Sequence, residues 1–241
     1  MTKNQSESCS QCESQSRSAF CELKDAPLAL LDATKTCNTY KAGQILFYED
    51  KKPSGLFCIK SGLIKLLKTN ADGGQTIVRM AGPGDILGYR CLFASQPPPG
   101  TAETVKDSQV CYISGDTIQS IIEKSPRTAF HFIEYLSRTL SQAENRLHDF
   151  VQKSLRERLA GFLLMMSSTV RDRSREYQSK TKTEIPFSRE EIAEYMGATP
   201  EAVIRTLSDF REEGVILLQG RHLEILLPEA LLHAASIESL S

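Results

Sequence analysis

Residues 183–211 read TEIPFSREEIAEYMGATPEAVIRTLSDFR, and the order of residue types in this stretch decides the architecture of the C-terminal part of the chain. Ser188 precedes Glu191 by three positions, the spacing of a capping box, and the helix it opens would turn Ile192, Ala193, Tyr195 and Met196 toward a core. Gly197 ends that helix. After Ala198 and Thr199, Pro200 and Glu201 suit the first turn of a second helix: the N–H that Pro lacks is not needed there, and Glu meets the positive end of the helix dipole. Val203, Leu207 and Phe210 recur at helical spacing as its buried face, leaving Glu201, Ile204, Arg205 and Ser208 outward. Arg forms a bidentate pair with guanine and Glu accepts from cytosine N4, so Glu201 and Arg205, one helical turn apart, suit a G·C pair in a major groove. The stretch reads as a DNA-contacting helix-turn-helix using Ser188, Thr199, Pro200, Glu201, Ile204 and Arg205, against the plainer reading of a solvated helix face. Val215–Leu218 and Leu223–Leu226, joined through Gln219, Gly220 and Arg221, read as a hairpin: the wing of a winged helix.

Upstream of this unit the pattern changes twice. Between Tyr40 and Ile113 short apolar segments (Ile45–Tyr48, Leu56–Ile59, Leu63–Leu67, Thr76–Met80, Ile86–Leu87, Ala102–Val105, Val110–Ile113) alternate with glycine turns, which predicts a jelly roll or barrel. Ile118, Ile121 and Ile122 mark a short helix ended by Pro126. From Arg127 to Lys153, Ile133, Leu136, Leu140, Ala143, Leu147 and Phe150 are spaced alternately three and four, a heptad seam that predicts a dimer coiled coil, with none of the six positions charged. A helix over 154–170 then leads into the DNA-reading unit. The expected organisation is α+β: a cysteine-bearing tail over 1–22, a β-roll sensor domain over 23–125, a dimerisation helix over 126–153, and a winged helix-turn-helix domain over 154–241.

A chain of 241 residues with 40% hydrophobic content holds two small cores. Its apolar runs are too short to span a bilayer and its N-terminus is polar, so a cytoplasmic protein is expected. A net charge of -1 argues against a generic polyanion binder and requires any nucleic-acid surface to be local. Between Lys153 and Arg189 nine basic residues (Lys153, Arg156, Arg158, Arg171, Arg173, Arg175, Lys180, Lys182, Arg189) face four acidic ones, a set able to meet phosphates beside the reading helix or to form a solvated loop. Seven cysteines without an export signal are expected as reduced thiols or metal ligands. Cys9 and Cys12 lie in a Ser/Gln-rich, weakly apolar stretch where packing does not call for them, with Cys21 just beyond.

The Lys60-Ser61-Gly62 turn, the run from Gly82 to Gly88 (GPGDILG), Glu157–Ala160 (ERLA) and Thr199–Leu207 (TPEAVIRTL) resemble the CRP/FNR family of bacterial transcription regulators over essentially the full chain. The resemblance implies a cyclic-nucleotide-binding-like roll acting as sensor, a dimer reading a palindromic operator, and contacts with RNA polymerase. It also implies that Glu201 and Arg205 read the G·C pair of a TGA core. Pro200 stands where CRP-like members carry another guanine-reading Arg, so the half-site should look like TTGA rather than GTGA. Cyclic-nucleotide binders of the family carry Glu after the last Gly of the turn and a later Arg on the phosphate; here Tyr89 follows Gly88 and residues 98–102 read PPGTA, so no cyclic nucleotide is expected.

The cysteines resemble those of the FNR branch, which implies a [4Fe-4S] cluster on Cys9, Cys12, Cys21 and Cys111, sensitive to oxygen or redox state. The gap between Cys12 and Cys21 is longer than in the best-known member, although loop-closure cost grows only slowly with length. Cys37 could compete as fourth ligand, structural zinc could take the same thiols, and a regulator without a cluster could sense a small molecule or nitric oxide at the roll. An enzyme is not expected: the four histidines, His131, His148, His222 and His233, all lie outside the roll where a cupin would need them. No helical pattern follows the Gly82–Gly88 run, which is therefore read as a β-turn rather than a dinucleotide loop.

Overall fold

The computed structural model describes residues 8–170, 182–220 and 222–236. The chain divides into two compact units, Met1–Ser141 and Gln142–Ser241.

The first unit is the roll. Helix α1 (Asp25–Thr34) precedes strands β1 (Thr36–Tyr40), β2 (Ile45–Phe47), β3 (Gly55–Thr69), β4 (Gln75–Ala81) and β5 (Ile86–Leu87), helix α2 (Tyr89–Ala94), strand β6 (Thr101–Ser114) and helix α3 (Gly115–Lys124). The strands form one antiparallel sheet ordered β1-β6-β3-β4, with β2 also on β6 and β5 on β3. The long strand β3 does not run straight: its register with β6 shifts three times between Ile59 and Ile64. Gly62 sits inside that irregularity at φ 105°, and a Cβ there would strike Ser108, so glycine lets the two strands pass closely enough to curl the sheet.

Curling separates two cores. Phe47, Phe57, Ile59, Ile64, Leu66, Ala81, Leu87, Ala102 and Val110 fill the inside of the roll. Leu56, Ile86 and Ile113 pack on the other face with Leu31 of α1, Ile118 and Ile121 of α3, and Phe132 and Tyr135 of the next helix, α4 (Arg127–Gln152). Strand alternation makes the division: along β3, Leu56 and Cys58 serve one face while Phe57 and Ile59 serve the other.

The N-terminal stretch departs from the loose tail that its composition suggests. Residues 8–22 carry two short 3-10 turns, Cys9–Gln11 and Gln15–Arg17, and dock on this outer core. Ala19, Phe20 and Leu23 are buried there, and Phe20 meets Phe132 edge to ring at 5.5 Å. The Ser14 hydroxyl donates to the Lys60 carbonyl. Helix α2 corrects a second expectation, since a short helix does follow Gly88. Gly88 is left-handed at φ 89° and sits against the Gly55 carbonyl, which makes it a close-packing position rather than part of a phosphate loop.

The second unit begins within α4 and continues with α5 (Leu155–Val170), β7 (Lys182–Glu184), α6 (Arg189–Met196), α7 (Pro200–Glu212), β8 (Ile216–Gln219), β9 (His222–Ile225) and α8 (Pro228–Ala234). Its core joins Leu159, Phe162, Leu163 and Met166 of α5, Ile192, Ala193 and Met196 of α6, Val203, Leu207 and Phe210 of α7, and Leu231 of α8. The wing pairs Ile216 with Ile225 and Leu218 with Leu223, and β7 adds a third strand beside β9. The expected basic residues Arg171, Arg173, Arg175 and Lys180, and Arg221 at the wing turn, lie outside the described residues.

Candidate functional site

The helix-turn-helix is built as its sequence dictates. The Ser188 hydroxyl accepts from the Glu191 N–H at 3.1 Å while the Ser188 N–H donates to Glu191 Oε2 at 2.8 Å, closing the capping box on α6. Gly197 takes the left-handed conformation at φ 60°, and the Ala198 N–H returns to the Ala193 carbonyl at 3.1 Å. The Thr199 hydroxyl then caps α7 by accepting from the Ala202 N–H at 3.3 Å, with Pro200 as first helical residue. Val203, Thr206, Leu207 and Phe210 are buried, whereas Glu201 and Arg205 are exposed and Ile204 keeps 48% of its surface free. Three functional groups thus stand on one open helix face. Ser188 and Thr199, in the contact set expected from the sequence, have hydroxyls committed to caps.

Sequence reasoning missed what braces this module. Arg146, near the end of α4, lies 3.9 Å over the Tyr195 ring and donates to the Tyr195 carbonyl at 2.9 Å, while Arg158 of α5 donates to the Met196 carbonyl at 3.2 Å. Both cations meet the C-terminal end of α6, where carbonyls lack helical partners and the dipole is negative. Burial lowers the pKa of Arg146, against the pull of Tyr195. Other members of the expected phosphate-binding set are also tied to protein partners: Arg156 to Glu213, Lys153 to Asp149 and Arg189 to the Gly220 carbonyl.

Along α4, Ile133, Leu140 and Leu147 are exposed at 57%, 60% and 66%, and Ala143 is also exposed. Leu136 instead packs partly against the roll's outer core, and Phe150 lies against Arg146, Arg158 and Gly197. Phe130 and Val151, absent from the expected seam, are exposed at 68% and 71%. The exposed large apolar residues of α4 are therefore 130, 133, 140, 147, 151 and, at 37%, 150; the heptad positions between the first five are Ser137 and Glu144. The stripe through those five carries an acidic residue where the six-position seam has none.

Four cysteines, Cys9, Cys37, Cys58 and Cys111, share the roll's outer face. Register places Cys111 of β6 directly opposite Cys37 of β1 on one side and Cys58 of β3 on the other, so the three side chains share a face. Cys37 and Cys111 form a disulfide, S–S 2.04 Å, which corrects the expectation that both are reduced; here Cys111 is not a free thiol. Cys9 packs against the same core as Cys58, and burial raises the Cys58 thiol well above its usual range, with the nearby charges of Cys9 and Cys12 adding to the effect. Cys9 is pinned by residues that no motif announced. Its N–H donates to Asp32 Oδ1 at 2.8 Å and its sulfur accepts from Lys35 Nζ at 3.0 Å, while Lys35 also donates to Asp32 at 2.6 Å. Burial works against ionisation of Asp32, but hydrogen bonds from Lys35, Ser8 and Cys9 outweigh it and hold the carboxyl at about 2. Cys21 lies on the docked segment, its N–H on the Ser18 carbonyl. Among the described residues no group of three or more His, Cys, Asp or Glu is arranged to hold a metal ion.

Inside the first unit Tyr89 and Arg79 occupy the space below the Gly82–Gly88 turn. Arg79 reaches the Tyr89 hydroxyl at 3.0 Å, the Tyr135 hydroxyl at 2.8 Å and Asp85 at 3.4 Å, and Tyr135 accepts from the Ile86 N–H at 2.8 Å. Burial pushes the Tyr135 pKa up to about 12, against the pull of Arg79. The network ties α4 to the turn that carries Asp85.

A curled sheet, a long helix and a winged helix-turn-helix with an open reading face define a DNA-binding transcription regulator, not an enzyme. Residues 37–125 match the cyclic nucleotide-binding domain and residues 157–234 the Crp-like helix-turn-helix domain. The chain belongs to the CRP/FNR family of transcription regulators, whose members bind DNA and typically act as dimers. It is 26% identical over 216 residues to the transcriptional activator protein FnrL of Cereibacter sphaeroides, covering 88% of this chain and 85% of that protein. It is 28% identical over 197 residues to the CRP-like cAMP-activated global transcriptional regulator of Mycobacterium tuberculosis, covering 81% and 87%. Its fold is similar to that of FixK2 from Bradyrhizobium japonicum, with a TM-score of 0.71 at 23% identity over 86% of this chain and 99% of that one. No helix among the described residues is long and apolar enough to cross a membrane.

Proposed function

We propose that this regulator binds a palindromic TTGA-type operator as a homodimer and that Cys9, Cys12, Cys21 and Cys111 hold an oxygen- or redox-sensitive [4Fe-4S] cluster. The DNA part rests on one observation: Glu201 and Arg205 stand exposed one turn apart on α7, with Pro200 in place of a third polar reader. Ile204 offers an apolar surface suited to a thymine methyl. Dimerisation follows from the exposed stripe on α4. RNA polymerase is the expected partner of such a factor, and the sequence-drawn limits (1–22, 23–125, 126–153 and 154–241) are proposed as functional divisions alongside the two compact units that meet at Ser141 and Gln142.

The sensing part rests on the Cys9-x-x-Cys12 spacing with Cys21 beyond it, and on Cys9 packing against the same core as Cys58, which pairs in register with Cys111. Relatives include the anaerobic regulatory protein of Haemophilus influenzae and the fumarate and nitrate reduction regulatory protein of Yersinia pestis, each 26% identical. Four thiolates are the donor set such a cluster needs. As folded here they do not fit it, because the Cys111 sulfur is bonded to Cys37. That bond favours a second reading, a regulator of this fold that works without a cluster and senses a small molecule or nitric oxide at the roll. Cyclic AMP does not follow from the M. tuberculosis relative: Tyr89 follows Gly88 here and its hydroxyl is engaged by Arg79.

Purification under argon with iron and sulfide analysis separates the two readings. Stoichiometric iron and sulfide, lost in each of the Cys9, Cys12, Cys21 and Cys111→Ser variants but kept in Cys91→Ser, is the expected result. Iron-free protein that binds its operator equally well with and without air would reject the cluster.

A further inference from the structure

Residues 142–152 of α4 fall in the same compact unit as the helix-turn-helix. Two stripes run side by side along this stretch, each repeating at i and i+4. Leu147 and Val151 are exposed at 66% and 71%, while Arg146 and Phe150, about a quarter turn round the helix, meet the end of α6. The guanidinium of Arg146 lies 3.9 Å over the Tyr195 ring and donates to the Tyr195 carbonyl at 2.9 Å, so one side chain holds both the ring and the backbone of a single residue. The Phe150 ring packs on Gly197 and is met by the guanidiniums of Arg146 at 5.4 Å and Arg158 at 4.9 Å. Phe162 of α5 also meets the Tyr195 ring, at 5.4 Å. Only Gly197, Ala198 and Thr199 lie between this clamped end and Pro200, the first residue of α7.

From this geometry we propose that Arg146 is a positioning residue for operator recognition: by fixing the turn before α7 to the dimer helix, it sets the half-site spacing that the dimer accepts. The inference rests on the reading of this protein as a dimer on a palindromic operator. A planar guanidinium stacked on a ring and bonded to the carbonyl beside it fixes direction as well as distance, which an ammonium on a flexible stem does not. Arg146 is half-buried, and a cation over a ring is held more strongly there than at an open surface. With Leu147 and Val151 against the partner, the residues beside them carry the reading helix. Slack at the clamp then becomes slack in the distance between the two reading helices. One base pair added between half-sites moves the second by about 3.4 Å and turns it by about a tenth of a turn round the duplex axis. A stiff clamp cannot follow that displacement, whereas a loosened one can. Arg205 reads the base in this arrangement, and Arg146 places Arg205.

The test uses the full-length protein. Selection from random duplexes fixes the wild-type operator, and duplexes with one base pair inserted or removed between its half-sites are compared with it. Wild type should bind both altered duplexes about tenfold more weakly, the scale of a mismatched base pair. In Arg146→Ala and Arg146→Lys that ratio should fall to about threefold or less, while substitution of the guanine in the TGA core stays as costly as for wild type. Tyr195→Phe, which keeps the ring, should match wild type, and Tyr195→Leu should match Arg146→Ala. Should Arg146→Ala fail to fold, Arg146→Lys and Tyr195→Leu decide. A residue that only stabilises the fold would, on removal, weaken binding to every duplex in proportion and leave the spacing ratio unchanged; that result overturns the proposal. So does wild-type indifference to spacing, or sedimentation of Arg146→Lys as a monomer, which would place the residue in association instead. Failure of wild type to select a TGA palindrome would remove the reading beneath the proposal as well, a failure seen before any variant is made.

Discussion

At the scale of single residues, chemistry is concentrated where side chains are held by partners remote in sequence. Arg205 is the exception, exposed on α7 and free to meet a base, and its removal is expected to cost roughly 1–3 kcal/mol of operator affinity and relax selection at one G·C position. Binding of Arg205→Ala to the operator and to a version substituted at that guanine would show it, and undiminished discrimination would exclude the contact. Asp32 illustrates the opposite case. Its carboxyl is ordinarily near 3.8 and is held at about 2 by Lys35, Ser8 and the Cys9 N–H. A depressed folded pKa stabilises the folded arrangement above the unfolded value, and that stability is lost as pH falls through the folded value. The anchoring of Cys9 should therefore be complete above about pH 4 and fade toward pH 2, while Asp32→Asn should expose Cys9 at neutral pH. An NMR titration following the Cys9 amide, paired with alkylation of the Asn variant, checks both; an unshifted amide and an unchanged alkylation rate would dismiss the anchor. The capping residues were legible in the sequence because each acts within three positions. Asp32 and Lys35 were not, because what they hold lies 23 and 26 residues away.

At the scale of elements, the junction of α6 with its supports is where a small change should matter. Gly197 is left-handed, and a Cβ there would stand 2.9 Å from the Phe150 ring. Gly197→Ala should destabilise the DNA-binding unit by about 1–2 kcal/mol from backbone strain alone, with the ring contact adding to it. Thermal unfolding of the variant measures this, and an unaltered midpoint would show that the turn relaxes freely. The dimer seam belongs to this scale too. Leu140 and Leu147, exposed in the isolated chain, should each contribute roughly 2–5 kcal/mol when covered by a partner, so the double Ala variant should sediment as monomer at concentrations where the parent is dimeric. An unchanged dimer would assign the contact elsewhere. Of the six heptad positions, Ile133, Leu140 and Leu147 are the large apolar residues left most exposed in the single chain. Spacing alone does not show that Leu136 also packs partly against the roll's outer core or that Phe150, 37% exposed, also meets Arg146.

At the scale of the whole molecule, two reading helices on a two-fold dimer predict two TTGA half-sites centred about one helical turn, roughly 34–36 Å, apart. Selection from random duplexes should return a palindrome of that kind, and recovery of asymmetric sites without TGA would refute the assignment. What the sequence by itself determined is whatever depends on neighbours a few residues apart: the capping box at Ser188 and Glu191, the proline start of α7, the wing hairpin, the glycine-punctuated strands and the long helix. Only the tertiary structure decided that β1 is a strand, since its TCNTY pattern carries little apolar alternation and its order comes from pairing with β6. It also decided that residues 8–23 dock through Ala19, Phe20 and Leu23, and that Cys111 faces both Cys37 and Cys58. The physical reason is range: caps and turns are satisfied within one or two turns of chain, whereas strand register and the burial of a sparse apolar segment are set by surfaces that exist only once distant parts of the chain have met.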